Sequence, residues 1–255
     1  MCLILIAHEA HSEFPLVIAA NRDEYYERPT ARAAFWEDHP NVLGGRDLEC
    51  MGTWLGVTRR GRFAALTNFR DPSQRKTDAP SRGQLVSDFL VSDQTPHEYL
   101  EEVATRAEQY NGFNLLAGDV HGIFCFSSRE GAVQKMVPGV HGLSNHLLDT
   151  PWPKVTRGKR RLKVILEGEP NPESLLDLLH DRDPASGDEL PNTGIGADLE
   201  RVLSPALIVS PLYGTRASTA VLFGGDGSIN FTERTILRSG TTGPTVSLRF
   251  RLDAH

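Results

Sequence analysis

The chain opens with two short apolar runs, Leu3–Ala7 and Leu16–Ala20, separated by the polar stretch His8–Pro15. Apolar runs of this length between polar segments predict strands, and their spacing predicts a hairpin. Thr53–Thr58 and Arg62–Asn68 flank Arg59-Arg60-Gly61 and predict a second hairpin, while Gly44-Gly45-Arg46-Asp47 reads as a turn. Beyond the polar loop Asp71–Arg82, apolar residues recur at helical spacing in Gln84–Leu90 (Leu85, Phe89, Leu90) and in His97–Gln109 (Tyr99, Leu100, Val103, Ala107). Asn114–Gly118, Ile123–Ser127 and Gln134–Val137 return to strand patterns.

Pro153–Leu166 predicts a helix with proline near its start and a basic face of Lys154, Arg157, Lys159, Arg160, Arg161 and Lys163. Such a run is either the solvated side of an amphipathic helix or a surface for an acidic partner or a membrane. Pro172–His180 predicts a shorter helix. Asp181–Leu199, rich in Asp, Gly and Pro, predicts a long loop or lid. Ala217–Phe223, Ser228–Arg234 and Thr245–Leu252 close the chain as strands. Strands therefore fall into an early and a late group with helices between them. That predicts an α+β protein, one layered domain over residues 1–255, and not the regular alternation of a doubly wound sheet.

Composition narrows the function classes. A chain of 255 residues with 39% hydrophobic and 24% charged residues buries a sizeable core without staples. A net charge of −6 argues against a nucleic-acid partner. The apolar runs fall far short of the ~18 residues of a transmembrane segment, and His8 and Glu9 come too early for a signal peptide. Cys2, Cys50 and Cys125 are odd in number and widely spaced, so a reducing, cytoplasmic location is expected. No metal site is expected: His8, Glu9 and His11 lack the helical spacing of a zinc motif. Gly44-Gly45 and Gly224-Gly225 lack the companions of a phosphate loop.

Cys2 is the first candidate for chemistry. If Met1 is removed, Cys2 carries a thiol and a free α-amine, and the amine can serve as the base for the thiol. The alternative is a small hydrophobe at the start of a strand. Asn21-Arg22-Asp23-Glu24 follows the second apolar run directly. Pairing of the first two strands places residue 2 opposite a position close to 21. A guanidinium beside a thiol favours the thiolate, and a carboxylate can hold an α-ammonium; a solvated turn with an internal ion pair is the other reading. Asn68 and Asn145 each end an apolar segment, as turn residues or as oxyanion donors.

These residues carry a resemblance. Ala20-Asn21-Arg22-Asp23-Glu24 with Arg28-Pro29-Thr30 is similar to the NRDE-motif proteins, the Transport and Golgi organization protein 2 family. Leu43–Leu48, Gly52–Val57, Leu66–Arg70, Ser81-Arg82-Gly83, Tyr110–Asn114 and Gly142–Asn145 with Trp152-Pro153-Lys154 follow in the same order; Thr215–Thr219 matches less sharply. The resemblance implies a four-layer αββα sandwich like that of the N-terminal-nucleophile hydrolases. It implies Cys2 as nucleophile, Arg22 and Asp23 as its companions, Asn68 and Asn145 as oxyanion donors, and Arg216 as a late arginine of the site.

Two functions are expected from this set. One is cysteine chemistry on an amide or thioester, with Asn21, Glu24, Trp54, Arg70, Arg82 and Arg216 contacting the ligand and no cofactor required. The other, implied by the family, is a carrier of haem, acyl-CoA or lipid. Its axial-ligand candidates are Cys2, His8, His11, His121, His141 and His146, and Arg22, Arg70 and Arg82 would pair propionates or a phosphate. Trp54, Phe69 and Trp152 either wall an apolar pocket for the acyl or tetrapyrrole ligand or belong to the core.

Overall fold

The computed structural model of the protein describes residues 2–119 and 121–253, and of Cys2 only the backbone. Among the described residues there are thirteen strands, β1–β13, and five α-helices, α1–α5, numbered in chain order. Contacts divide the chain into two compact units, Met1–Glu27 with Pro138–Arg251, and Arg28–Val137 with Leu252–His255.

The first unit holds a six-stranded antiparallel sheet. Its strands are β1 (Cys2–His8), β2 (Leu16–Tyr25), β10 (Gly139–Leu143), β11 (Tyr213–Phe223), β12 (Ser228–Ile236) and β13 (Thr242–Arg251). Their spatial order is β10-β1-β2-β11-β12-β13. Leu3, Leu5, Ala7, Val17 and Ala19 point to one face, where they pack with Val155 and Leu162 of α3 (Pro153–Leu166) and Leu175, Leu176 and Leu178 of α4 (Pro172–Leu178). Ile4 and Ile6, which alternate with them, are buried as well. Burial on both faces is why β1 reads as an unbroken apolar run and not as an alternation.

The second unit is a seven-stranded antiparallel meander in the order β3-β4-β5-β6-β7-β8-β9. The strands are β3 (Thr30–Phe35), β4 (Val42–Asp47), β5 (Leu55–Thr58), β6 (Phe63–Asn68), β7 (Phe113–Asp119), β8 (Gly122–Ser127) and β9 (Val133–Lys135). Helices α1 (Gly83–Val91) and α2 (Pro96–Arg106) lay Leu85, Val86, Phe89, Leu100 and Val103 onto Leu66, Phe113, Leu115 and Phe126 of this sheet. Thr95 caps α2 in a capping box with Glu98, and Pro96 follows at the first helical position, where its missing N–H is not needed.

Both expected hairpins form, as do the helix at Pro153–Leu166 and the late strands. The structure differs from these expectations in four places. Gly44-Gly45 is not a turn but the middle of β4, paired with β3 on one side and β5 on the other. A Cβ at Gly44 would sit 2.7 Å from the Leu55 carbonyl oxygen, so the glycine is there for close strand approach. β2 does not end at Ala20 but continues through Asn21, Arg22, Asp23 and Glu24 to Tyr25. β3 and β10, too polar or glycine-rich to signal themselves, complete the sheets. The expected loop from 181 ends early, at α5 (Ala197–Val202), and it is pinned: the Ala185 N–H donates to Ser204 Oγ, and Thr193 Oγ1 donates to buried Glu200 at 2.6 Å.

Gly44→Ala tests the strand approach. The added methyl must push β5 aside, an overpacking of about 1–3 kcal/mol, read as a midpoint lower by roughly 2–4 °C per kcal/mol in thermal unfolding. An unchanged midpoint would mean that β4 and β5 separate freely.

Candidate functional site

The register of the first unit does the positioning. Cys2 is paired with Arg22, and Arg22 in turn with Ala217 of β11. On the other flank of β1, Ile4 is paired with Leu143, the last residue of β10. Asn145 lies two residues further on, beyond the paired register. Arg22 is buried, and Asn145 is fully buried with its side-chain oxygen accepting from Ser144 Oγ at 3.3 Å. The Cys2 side chain lies outside the described residues.

Neighbouring residues of a strand face opposite ways. Arg22 shares a face with Ile18 and Ala20, whereas Asn21 and Asp23 share the helix-packed face with Val17 and Ala19. Asn21 is fully satisfied there. Its amide donates to the carbonyls of Leu179 (3.0 Å) and Ala206 (2.8 Å), and its oxygen accepts from Ser218 Oγ at 2.6 Å. Asp23 Oδ1 accepts from Thr215 Oγ1 at 2.6 Å, and that hydroxyl accepts from the Ile208 N–H at 2.9 Å. Burial pushes the Asp23 carboxyl up from its ordinary range; the positive charge of Lys154 and the Thr215 hydrogen bond pull the other way. Lys154 itself is buried and donates to the Leu203 carbonyl at 3.1 Å. It therefore leaves the basic face of α3, the rest of which largely binds the protein: Lys159 reaches Asp149, Arg157 reaches Asp181, and Arg161 donates to the Leu178 carbonyl.

The segment carrying Asn145 is folded back on β10 by Asp149, which adopts a left-handed backbone (φ +59°). The Asp149 N–H donates to the Gly142 carbonyl, and the Gly142 N–H donates to Asp149 Oδ1 at 2.9 Å. The same carboxylate takes Lys159 Nζ at 2.5 Å and His141 Nδ1 at 2.7 Å. Burial opposes its ionisation, but these three bonds outweigh the burial and hold its pKa at about 2.

The remaining expected residues are distributed more widely. Glu24 accepts from the Tyr25 N–H. Arg216 occupies a bulge between Thr215 and Ala217 and donates to the Tyr25 carbonyl at 2.8 Å. Asn68, Trp54, Arg70 and Arg82 belong to the second unit. There Asn68 ends β6 opposite Phe113, Trp54 is buried, and Arg82 donates to the Gly112 carbonyl at 2.9 Å. Trp152 sits in the core of the first unit. Phe69 lies under the Arg129 guanidinium. Among the axial candidates, His141 is engaged by Asp149, His146 Nδ1 pairs with Thr150 Oγ1 at 3.0 Å, and His11 meets the Gly168 carbonyl and two backbone N–H groups. His8 lies 3.9 Å from Glu9, and His121 is exposed. Thr215, Ser218, Lys154 and Asp149 are the site-building residues that sequence reasoning missed. Only Lys154 carried a signal: with Gly158 and Leu162 it falls on the buried i, i+4 line of α3.

Two solved structures share this fold. The chain superposes on a Caenorhabditis elegans N-acylethanolamine-hydrolyzing acid amidase ortholog with a TM-score of 0.50, covering 87% of this chain and 92% of that one. It superposes on the C2A mutant of the conjugated bile acid hydrolase from Clostridium perfringens with a TM-score of 0.52, covering 97% and 92%. Identities of 9% and 10% make this a likeness of fold, that of the N-terminal-nucleophile hydrolases. Within that class the sequence is more specific. The family model for Transport and Golgi organisation 2 matches residues 1–238. The Transport and Golgi organization protein 2 homolog of Bos taurus is 38% identical over the whole of both chains; that of Homo sapiens is 37% identical over 93% of this chain and 94% of its own. The chain belongs to the Transport and Golgi organisation 2 family.

Asp149→Asn removes the charge while keeping a side chain that tolerates the left-handed backbone. Because the Asp149 pKa is depressed in the folded state, its contribution is present above the ordinary carboxylate pKa of 3.8 and is lost as pH falls towards about 2. The variant should be less stable at neutral pH and lose less stability on acidification through that window. Parallel stability–pH curves for the two proteins would show that the three bonds contribute nothing.

Proposed function

We propose that the chain handles acyl amides or thioesters through Cys2 as an N-terminal nucleophile. The observation that supports this best is the register: residue 2 of β1 is paired with buried Arg22 on β2, and buried Asn145 follows by two residues the end of β10, the other neighbour of β1. The two structural neighbours are named as an amidase acting on N-acylethanolamines and as a hydrolase of conjugated bile acids, and they supply the substrate class.

Loss of Met1 frees the α-amine of Cys2. The amine takes the thiol proton, and the thiolate attacks the acyl carbonyl. Asn145 holds the oxygen that becomes negative. The carbon–nitrogen or carbon–sulfur bond breaks, the amine returns its proton to the leaving group, and water then releases the acyl group from Cys2. Arg22 favours the thiolate. Asp23, whose burial disfavours the ionised form, needs cations. Lys154 is one, and in this reading the freed α-ammonium is the other. The carrier reading would draw on histidines that are already engaged: the bonds of His141, His146 and His11 favour acyl chemistry over axial ligation of haem. Arg216, in the same unit as Cys2, remains a ligand contact of this proposal, in a cytoplasmic protein.

The test is the intact mass of the purified protein before and after a thiol-alkylating probe, with the label mapped. Met1 should be absent, and Cys2 should label faster than Cys50 and Cys125. Asn145→Ala should then lower kcat on a responsive amide or thioester by about 10²–10³-fold, the usual effect of losing one oxyanion donor. A retained Met1, or a Cys2 no faster than the other two thiols, overturns the proposal.

A further inference from the structure

Beyond Glu24 the end of β2 runs onto an exposed apolar surface. Tyr25 is 57% exposed and Leu212 65%, with Val209 and Leu237 also exposed. They form one patch. The Tyr25 and Tyr213 rings meet edge-on at 5.3 Å. The Tyr26 N–H donates to the Leu212 carbonyl at 3.0 Å, and the Tyr26 hydroxyl donates to the Arg238 carbonyl at 3.4 Å. Val209 bridges to Gly214 and stands so close to Gly240 that a Cβ there would lie 2.5 Å from its methyl. Large apolar side chains gathered this way on a soluble surface mark a contact site.

Three arginines rim the patch. Arg216 donates to the Tyr25 carbonyl, the Arg238 guanidinium stands 5.1 Å over the Tyr26 ring, and Arg182 donates to the Gly240 carbonyl. The Glu24 carboxylate offsets Arg216. Arg182 and Arg238 lie within ion-pair distance of no carboxylate among the described residues. Guanidinium groups around exposed Leu, Val and Tyr match one kind of surface, in which anionic headgroups lie over hydrocarbon. The apolar side chains enter the acyl boundary, tyrosine rings suit the interface, and the arginines reach the headgroups. A second copy of the chain fits poorly, because a two-fold contact through this patch would set its arginine rim against itself.

The geometry points to peripheral docking of this patch on an anionic lipid bilayer. With a net charge of −6 on the whole chain, the attraction is local and therefore sensitive to salt. This inference stands apart from the cysteine chemistry: of the residues proposed for that site it shares Arg216, which the test leaves unchanged. The test is co-sedimentation of the full chain with vesicles of phosphatidylcholine containing roughly a third phosphatidylglycerol, and with pure phosphatidylcholine vesicles, at low and high salt. Binding should be restricted to the anionic vesicles at low salt. Arg238→Glu with Arg182→Glu should weaken it by at least about tenfold, and Leu212→Ser should weaken it at unchanged circular dichroism and oligomeric state. Absence of binding overturns the proposal, as does binding that the variants leave intact. So does a dimer in light scattering that Leu212→Ser dissolves, or binding of monomeric short-chain phosphatidylglycerol without binding of vesicles.

Discussion

Burying Asn21, Arg22 and Asp23 inside a sheet is the constraint to which the rest of the first unit answers. A buried amide or carboxylate without partners costs several kcal/mol, and a central strand offers its side chains no water. The chain meets the need from far away. Asn21 draws on Leu179 and Ala206, 158 and 185 residues on, and on Ser218. Asp23 draws on Thr215, 192 residues on, and feels the charge of Lys154. The segments that follow α4 and precede β11 are held against the sheet by these bonds as much as by their apolar contacts. The polar layer is therefore a structural clamp on one face of β2, while Arg22 is directed to the other face.

That division explains which parts of the molecule could be read from the sequence. Apolar periodicity identifies an element when its own residues supply the reason for its burial, as in Leu3–Ala7, Leu16–Ala20 and the helical spacing of Leu85, Phe89 and Leu90 in α1. It stops at Ala20, because nothing local predicts that four polar residues continue a strand; the partners that make the continuation affordable lie more than 150 residues away. Gly44-Gly45 misleads for a related reason. Glycine signals turns by its backbone freedom, but here it serves by its missing Cβ, next to the Leu55 carbonyl.

The candidate site was legible in residue type more than in geometry. Cys2, Arg22, Asp23 and Asn145 follow from the family resemblance, and pairing of the first two strands is enough to set residue 2 opposite Arg22. The placement of Asn145 beyond the strand next to β1 is different. It depends on β10, a five-residue edge strand with two glycines and weak alternation, pairing with β1 across more than 130 residues. Asp149, which folds that segment back, has no sequence signature beyond being a turn-favouring residue.

The bulge at Arg216 has a consequence for how this fold tolerates changes in length. Thr215 and Ser218 are three positions apart, so in a regular strand they would face opposite sides, yet both serve the polar layer of β2. The extra residue makes β11 two half-strands with independent phase, one set by Asp23 and the other by Asn21. Deleting Arg216 would leave Ala217–Phe223 in register with Leu16–Arg22 and bring Thr215 two positions from Ser218, so that a regular strand turns both hydroxyls to the same face, with Thr215 still opposite Asp23. Chain length at this point therefore sets the place of one arginine and not the polar layer: the deletion would cost the Arg216 side chain and its bond to the Tyr25 carbonyl, while the carboxylate keeps its hydroxyl partner.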